Sequence, residues 1–163
     1  MTHLPGRSAG QNPIRKASRL FQDASVRNSC REMLELEIRE NGDLDLITVA
    51  SSDGKSFAAA CRYDYSADRV AALSASFLAV GESLGREVGG ESAGHVSVAL
   101  NNGVMVSRRV ADSTGVFTLS VLGRGSANLG LVFRSAGDLA ERVADILDAA
   151  QRSGSPAVRV GQS

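Results

Sequence analysis

Two short motifs have the residue types of a serine hydrolase nucleophile. The pattern Gly-x-Ser-x-Gly occurs at residues 81–85 and again at residues 90–94. A nucleophile elbow requires a strand, a sharp turn and then a helix. The first motif lies inside a predicted helix, and the second connects a helix to a strand, which is the reverse order. The one plausible general base is His95, three residues beyond Ser92, so the motifs do not indicate a hydrolase.

A glycine-rich loop at residues 123–130 is the second candidate for chemistry, because it connects a predicted strand to a predicted helix. Backbone N–H groups at such a helix N-terminus can hold a phosphate group. The dinucleotide-binding pattern GxGxxG is incomplete, since Asn128 occupies its third glycine position, and no Walker A lysine follows. Both a tight turn capped by Asn128 and a phosphate-binding loop are compatible with this segment.

The chain offers few other catalytic or metal-binding side chains. Its cysteines are Cys30 and Cys61, and its histidines are His3 and His95. No C-x-x-C or H-x-x-x-H spacing occurs, so we predict no structural zinc site. Two reduced thiols are the expected state of the cysteines. We therefore expect no metal, no cofactor and no catalytic cluster among these side chains, and a small enzyme or phosphate binder that uses the loop at residues 123–130 stays a further hypothesis.

Length and charge narrow the class of protein further. The 163 residues suit one domain, and 18 basic residues balance 18 acidic ones. This balance argues against a globally basic nucleic-acid binder. No apolar run reaches the roughly 20 residues that span a membrane. Because the first 28 residues lack the apolar core of a signal peptide, we expect a cytoplasmic location.

The N-terminal segment, residues 1–28, is basic. Its charged side chains are Asp23 and five cations, Arg7, Arg15, Lys16, Arg19 and Arg27. Such a composition resembles a transit peptide, and it also suits a flexible leader with a partial helix, which is the interpretation we adopt. Residues 153–163 are rich in Gly, Ser and Pro and are expected to form a flexible tail.

Hydrophobic periodicity between these termini predicts three helices and five strands. Short loops such as Asn102-Gly103 favour antiparallel pairing. The predicted order is α-β-β-α-β-β-β-α, an α+β fold with a five-stranded antiparallel sheet between helices. The segments that carry it are a helix over residues 30–38, strands over 46–50 and 56–61, a helix over 67–88, strands over 95–100, 104–110 and 117–121, and a helix from residue 129.

The second predicted helix has two stripes at helical spacing. The bulky stripe consists of Val70, Leu73, Phe77, Val80, Leu84 and Val88, and the small stripe of Ala71, Ser74, Leu78, Gly81 and Gly85. Two glycines four residues apart indicate that something approaches the helix backbone closely, because each costs helix stability. We expect the bulky stripe to face the sheet and the small stripe to meet a second subunit. Packing of the small stripe on its own chain is the alternative.

Three segments together resemble the roadblock / dynein light chain family, including its bacterial MglB-like members. They are residues 46–55 (LITVASSDGK), the helix over residues 67–90, and residues 126–132 (SANLGLV). The last segment is similar to the family's Asn-Leu-Gly signature after its final strand. The resemblance covers residues 29–152 and does not extend to the basic leader.

The resemblance implies a sheet with one helix on one face and two on the other. It also implies a homodimer joined through the second helix and third strand, and a non-catalytic role as regulator or scaffold of a small Ras-like GTPase. A structural adaptor without effect on nucleotide turnover is the alternative. The expected dimer interface is Ala71, Ser74, Leu78, Gly81, Gly85, His95, Ser97 and Ala99, and the expected partner-binding residues are Arg69, Glu82 and Arg86.

Overall fold

The computed structural model describes residues 12–90 and 94–154. These residues form four helices and five strands. In chain order the elements are α1 (Pro13–Gln22), α2 (Ala24–Glu40), β1 (Leu44–Ser51), β2 (Ser56–Cys61), α3 (Ala67–Gly89), β3 (His95–Leu100), β4 (Gly103–Arg109), β5 (Phe117–Arg124) and α4 (Leu129–Ser153). The predicted α+β fold class is therefore confirmed, and the second predicted helix is α3.

The five strands form one antiparallel sheet in the order β2-β1-β5-β4-β3. β1 and β5 form the centre, because β1 pairs with both β2 and β5. β3 pairs only with β4, so one of its edges carries backbone groups that no strand of the described chain pairs with. β2 forms the opposite edge in the same way.

The two faces of the sheet carry different layers of helices. α1, α2 and α4 contact one another on one face, and α3 lies alone on the other. The expected arrangement of one helix against two is thus present, with α1 as an additional helix in the larger layer. The main core lies under that layer and is built from large side chains such as Ile47, Val49, Phe117, Leu119 and Val121.

Helical structure begins at Pro13, earlier than the predicted domain start at residue 29. Asn12 caps α1 by accepting a hydrogen bond from the Ile14 N–H at 3.1 Å, and proline suits the first helical position. Ala17 and Leu20 are buried in the core, which holds α1 against the domain. Residues 1–11, and residues 155–163 of the tail predicted over 153–163, lie outside the described residues; Ser153 is the last residue of α4.

Candidate functional site

The side of α3 that contacts the sheet is the small stripe, so the predicted orientation of this helix is wrong. Ala71 and Leu78 are 1% and 0% exposed within the single chain, and Ser74 is also buried. These three side chains cannot meet a second subunit while α3 stays on the sheet. The sheet surface below combines small and polar side chains, including Thr48 and Ser120, with the buried Leu46 and Leu122.

The element that lies close to the α3 backbone, as the glycines indicated, is the edge strand β3 of the same chain. A Cβ at Gly81 would overlap the Cγ2 methyl of Val96 on β3. Val96 is β-branched and moves only by changing its χ1 rotamer, so this contact requires glycine. Gly85, one turn further along, is half-buried. The alternative explanation of the small stripe, packing on its own chain, is the one that the structure shows for Gly81.

The bulky stripe of α3 points away from the sheet. Its exposed members are Leu73, Phe77, Val80, Leu84 and Val88, with exposed fractions from 51% at Phe77 to 77% at Val88. At roughly 100° of rotation per residue, they cover one side of the helix. Monomeric proteins rarely expose a continuous apolar stripe of this length, so it marks an interaction surface.

An apolar groove of about 200 Å³ continues this stripe toward the edge of the sheet. Val70, Leu73 and Phe77 of α3 form one wall, and Val96 and Val98 of β3 form the other. The groove and the exposed stripe therefore make one surface, which runs along the β3 edge. We call it the α3–β3 surface.

The predicted interface residues of β3 lie on the other face of this edge strand. His95, Ser97 and Ala99 are exposed and alternate with Val96 and Val98, which face α3. The His95 ring packs edge-on against the Phe133 ring of α4, with centroids 4.6 Å apart. The structure thus places these three residues next to the unpaired strand edge but outside the groove.

Glu82 is not available to a partner, contrary to the prediction. Its side chain forms a two-pronged ion pair with Arg109 of β4, whose Nε and Nη2 donate to Oε1 and Oε2 at 2.6 and 2.7 Å. These hydrogen bonds hold the pKa of Glu82 below its usual range. The pair fixes α3 to the sheet. Arg69 and Arg86 are exposed on α3, as expected, so two of the three predicted partner-binding side chains remain accessible.

The glycine-rich loop at residues 123–130 is explained by packing and capping. A Cβ at Gly123 would overlap the Cγ2 methyl of Val132, so glycine is needed for α4 to approach β5. The Asn128 side chain accepts a hydrogen bond from the Gly130 N–H at 2.8 Å, as the capping interpretation predicts. These contacts account for the sequence of the loop without a phosphate ligand.

The remaining candidates are structural. Cys30 and Cys61 are free thiols, and burial raises the pKa of Cys30 to about 12, which makes it unreactive. Over residues 12–90 and 94–154, no group of three or more His, Cys, Asp or Glu side chains is placed to hold a metal ion. None of the helices in this part of the chain is long and apolar enough to cross a bilayer.

Sequence reasoning missed the outward-facing stripe, although one signal pointed to it. Along β5, the large residues Phe117, Leu119 and Val121 alternate with Thr118 and Ser120. This alternation puts the large side chains of residues 117–121 on one face of the sheet and small polar ones on the other. The second face therefore favours close approach by a helix with small residues, which leaves the bulky stripe outside.

Comparison with solved structures identifies the fold. The chain is similar to MglB with a tetrameric arrangement, at 20% identity and a TM-score of 0.68, over 78% of this chain and 94% of that one. A roadblock/LC7 domain from Streptomyces avermitilis is 21% identical, with a TM-score of 0.63, over 72% and 96%. Myxococcus xanthus MglB is 14% identical, with a TM-score of 0.60, over 78% and 90%.

At the level of sequence, no family model and no curated protein matches the chain. The structural matches cover nearly the whole of each compared domain, and they reach the same family that residues 46–55, 67–90 and 126–132 indicated. We conclude that this chain has the roadblock/LC7 fold found in MglB.

Proposed function

We propose that the protein is a non-catalytic homodimer that binds a small Ras-like GTPase through the platform formed by its α3 helices. The observation that carries the proposal is the α3–β3 surface, an exposed apolar stripe continuous with an apolar groove and an unpaired strand edge. A second copy offers the same three features. A two-fold axis beside β3 places the bulky stripe of each copy against the groove of the other and pairs the two β3 edges.

This assignment of the dimer interface replaces the small stripe with the bulky one. Leu73, Phe77, Val80 and Leu84 become the contact residues of α3, and His95, Ser97 and Ala99 lie beside the paired strand edges. Pairing of two β3 edges satisfies backbone groups that are otherwise left to solvent. It also removes the exposed stripe from water, which stabilises the dimer by about 25 cal/mol for each Å² of apolar surface that is buried.

The GTPase partner is supported by the sequence resemblance and by the fold shared with MglB. In the proposed dimer, the two α3 helices lie side by side, and their exposed residues outside the bulky stripe form one platform. Arg69 and Arg86 are exposed on α3 and supply positive charge to it. We propose that these two arginines contact the GTPase, which would hydrolyse GTP with its own catalytic groups.

Affinity capture with either a non-hydrolysable GTP analogue or GDP tests the GTPase partner. The bait is the tagged wild-type protein, the Arg69→Glu/Arg86→Glu variant or the Arg134→Glu control, which changes an exposed arginine of α4. We expect a Ras-like GTPase with the GTP analogue only, retained by the control and lost from the double variant. Equal capture in both nucleotide states favours a structural adaptor. Absence of any GTPase from captures made in the source organism contradicts the proposal.

A further inference from the structure

A cationic cleft lies on the opposite side of the molecule from the α3–β3 surface. It has a volume of about 550 Å³ and is formed by α1, the last turns of α4 and the loop between β4 and β5. Three cations line it, Lys16 and Arg19 of α1 and Arg152 of α4. Its position on the other face of the sheet separates it from the proposed dimer and GTPase surfaces.

The two carboxylates in the cleft are engaged in structural hydrogen bonds. Asp23 caps α2 by accepting from the N–H groups of Ser25 and Val26 at 3.0 and 3.2 Å. Asp148 of α4 accepts from the Ser113 N–H at 2.8 Å. Both carboxylates are thus held by backbone donors of the fold.

The three cations, by contrast, form no ion pair with any residue in the described parts of the chain. Arg19 and Arg152 are exposed, and Lys16 is half-buried. Their charges are available to a ligand that enters the cleft.

A rigid scaffold holds these cations. Phe21 of α1 packs against Phe57 and Phe117, with ring centroids 5.2 and 5.6 Å apart. The Gln151 side chain of α4 donates a hydrogen bond to the Lys16 carbonyl at 3.2 Å, which ties the two walls of the cleft together. A charged surface that is already ordered loses less conformational entropy on binding than a flexible basic leader.

Positive charge continues beyond the cleft. Arg15 lies beside Arg19 on the outer side of α1, where the two line an adjoining hollow. In the sequence, residues 1–11 and 155–163 contain no Asp or Glu, so no side chain of these two segments can form an ion pair with the three cations.

We propose that the α1–α4 cleft is a docking site for an acidic segment of a partner protein. The three cations belong to two elements, Lys16 and Arg19 to α1 and Arg152 to the last turn of α4, so both walls of the cleft carry positive charge. An extended acidic chain can place separate carboxylates against the α1 cations and against Arg152.

Fluorescence anisotropy with a labelled peptide of alternating Glu and Ser tests this site. We expect saturable binding to the full-length protein that weakens as the ionic strength rises. The variant Lys16→Gln/Arg19→Gln/Arg152→Gln is expected to bind roughly tenfold more weakly. The matched control Arg31→Gln/Arg39→Gln/Arg134→Gln removes the same charge from exposed arginines elsewhere and should keep the wild-type affinity.

Three results would overturn the proposal: no peptide binding at low ionic strength, equal weakening by both triple variants, or binding of phosphatidylserine vesicles that the peptide does not displace. Circular dichroism identical to the wild type shows that each variant is folded. Because the cleft and the α3–β3 surface lie on opposite faces, a Phe77→Glu variant should retain peptide binding. Failure of the dimer and failure of this site are therefore distinguishable.

Discussion

The two helical layers contact the sheet through different kinds of side chain. Under α1, α2 and α4 the sheet presents Phe117, Leu119 and Val121, which are completely buried. Under α3 the same strand presents Thr118, Ser120 and Leu122, and α3 buries mostly small residues there, together with Leu78. The first face holds most of the large apolar side chains that stabilise the chain. The second face positions α3 and turns its large side chains outward, where they are available for association.

This comparison predicts that equal changes on the two faces have different consequences. Phe117→Ala should lower the free energy of unfolding by about 3–5 kcal/mol, because the ring is buried among Phe21 and Phe57. Phe77→Ala, at a half-exposed position of α3, should change it by less than about 0.5 kcal/mol under conditions where the chain is monomeric. Urea unfolding measures the change in unfolding free energy of both variants. Equal losses of stability would contradict the assignment of stability to one face of the sheet and association to the other.

The fit between α3 and the β3 edge can be tested at Gly81. Gly81→Ala should destabilise the protein by about 1–3 kcal/mol, because the added Cβ overlaps Val96. In a Val96→Ala background the penalty should largely disappear, since the overlapping methyl is gone. Gly89→Ala is the matched control, as a Cβ there meets no atom within 4 Å. A neutral Gly81→Ala would show that β3 does not approach α3 this closely.

The Glu82–Arg109 pair predicts an acid-sensitive attachment of α3. Because the pKa of Glu82 is lowered in the folded state, its contribution to stability is present above the unfolded value of about 4.3 and is lost as the pH falls through the folded value. Glu82→Gln should cost about 1–2 kcal/mol at neutral pH. The difference from the wild type should shrink on acidification, as measured by urea midpoints across pH. A constant difference at all pH values would assign the effect to packing.

The smallest effect is expected from the polar layer beneath α3. Ser107 and Ser120 share a buried hydrogen bond of 2.8 Å between their hydroxyl oxygens. Replacing either serine with alanine should cost about 1 kcal/mol, because the remaining hydroxyl loses its partner. Replacing both should cost less than the sum of the two single changes, and a double-mutant cycle measures the difference. Strict additivity would mean that the two hydroxyls are not coupled.

Sequence patterns were sufficient for the fold and for the order of elements from α2 onward, but not for α1. Helical stripes, strand alternation and turn residues such as Asn102-Gly103 act locally, so they can be recognised without tertiary information. The cap at Asn128 is local in the same sense, and its predicted role in capping α4 is confirmed. The spacing of Ala17 and Leu20 carried the signal for α1 as a packed helix, but the surrounding arginines dominated the interpretation of that segment.

The orientation of α3 could not be obtained from the helix alone. The usual expectation places the bulkiest stripe of a helix inward, toward the core. Here the correct orientation depends on Thr48, Ser107 and Ser120, which come from three different strands. The pairing of Glu82 with Arg109 is equally non-local. The sequence predicts an exposed carboxylate on the helix, whereas the folded sheet places it in a partly buried ion pair.

The mass of the protein in solution tests the α3–β3 surface most directly. Sedimentation of the wild type and of Phe77→Glu at matched concentrations measures it, with Arg134→Glu as a control for an added acidic side chain. We predict that the wild type and the control sediment at twice the chain mass of 17.0 kDa, and that Phe77→Glu sediments as a folded single chain. A monomeric wild type, or a Phe77→Glu variant that remains dimeric, would contradict the account.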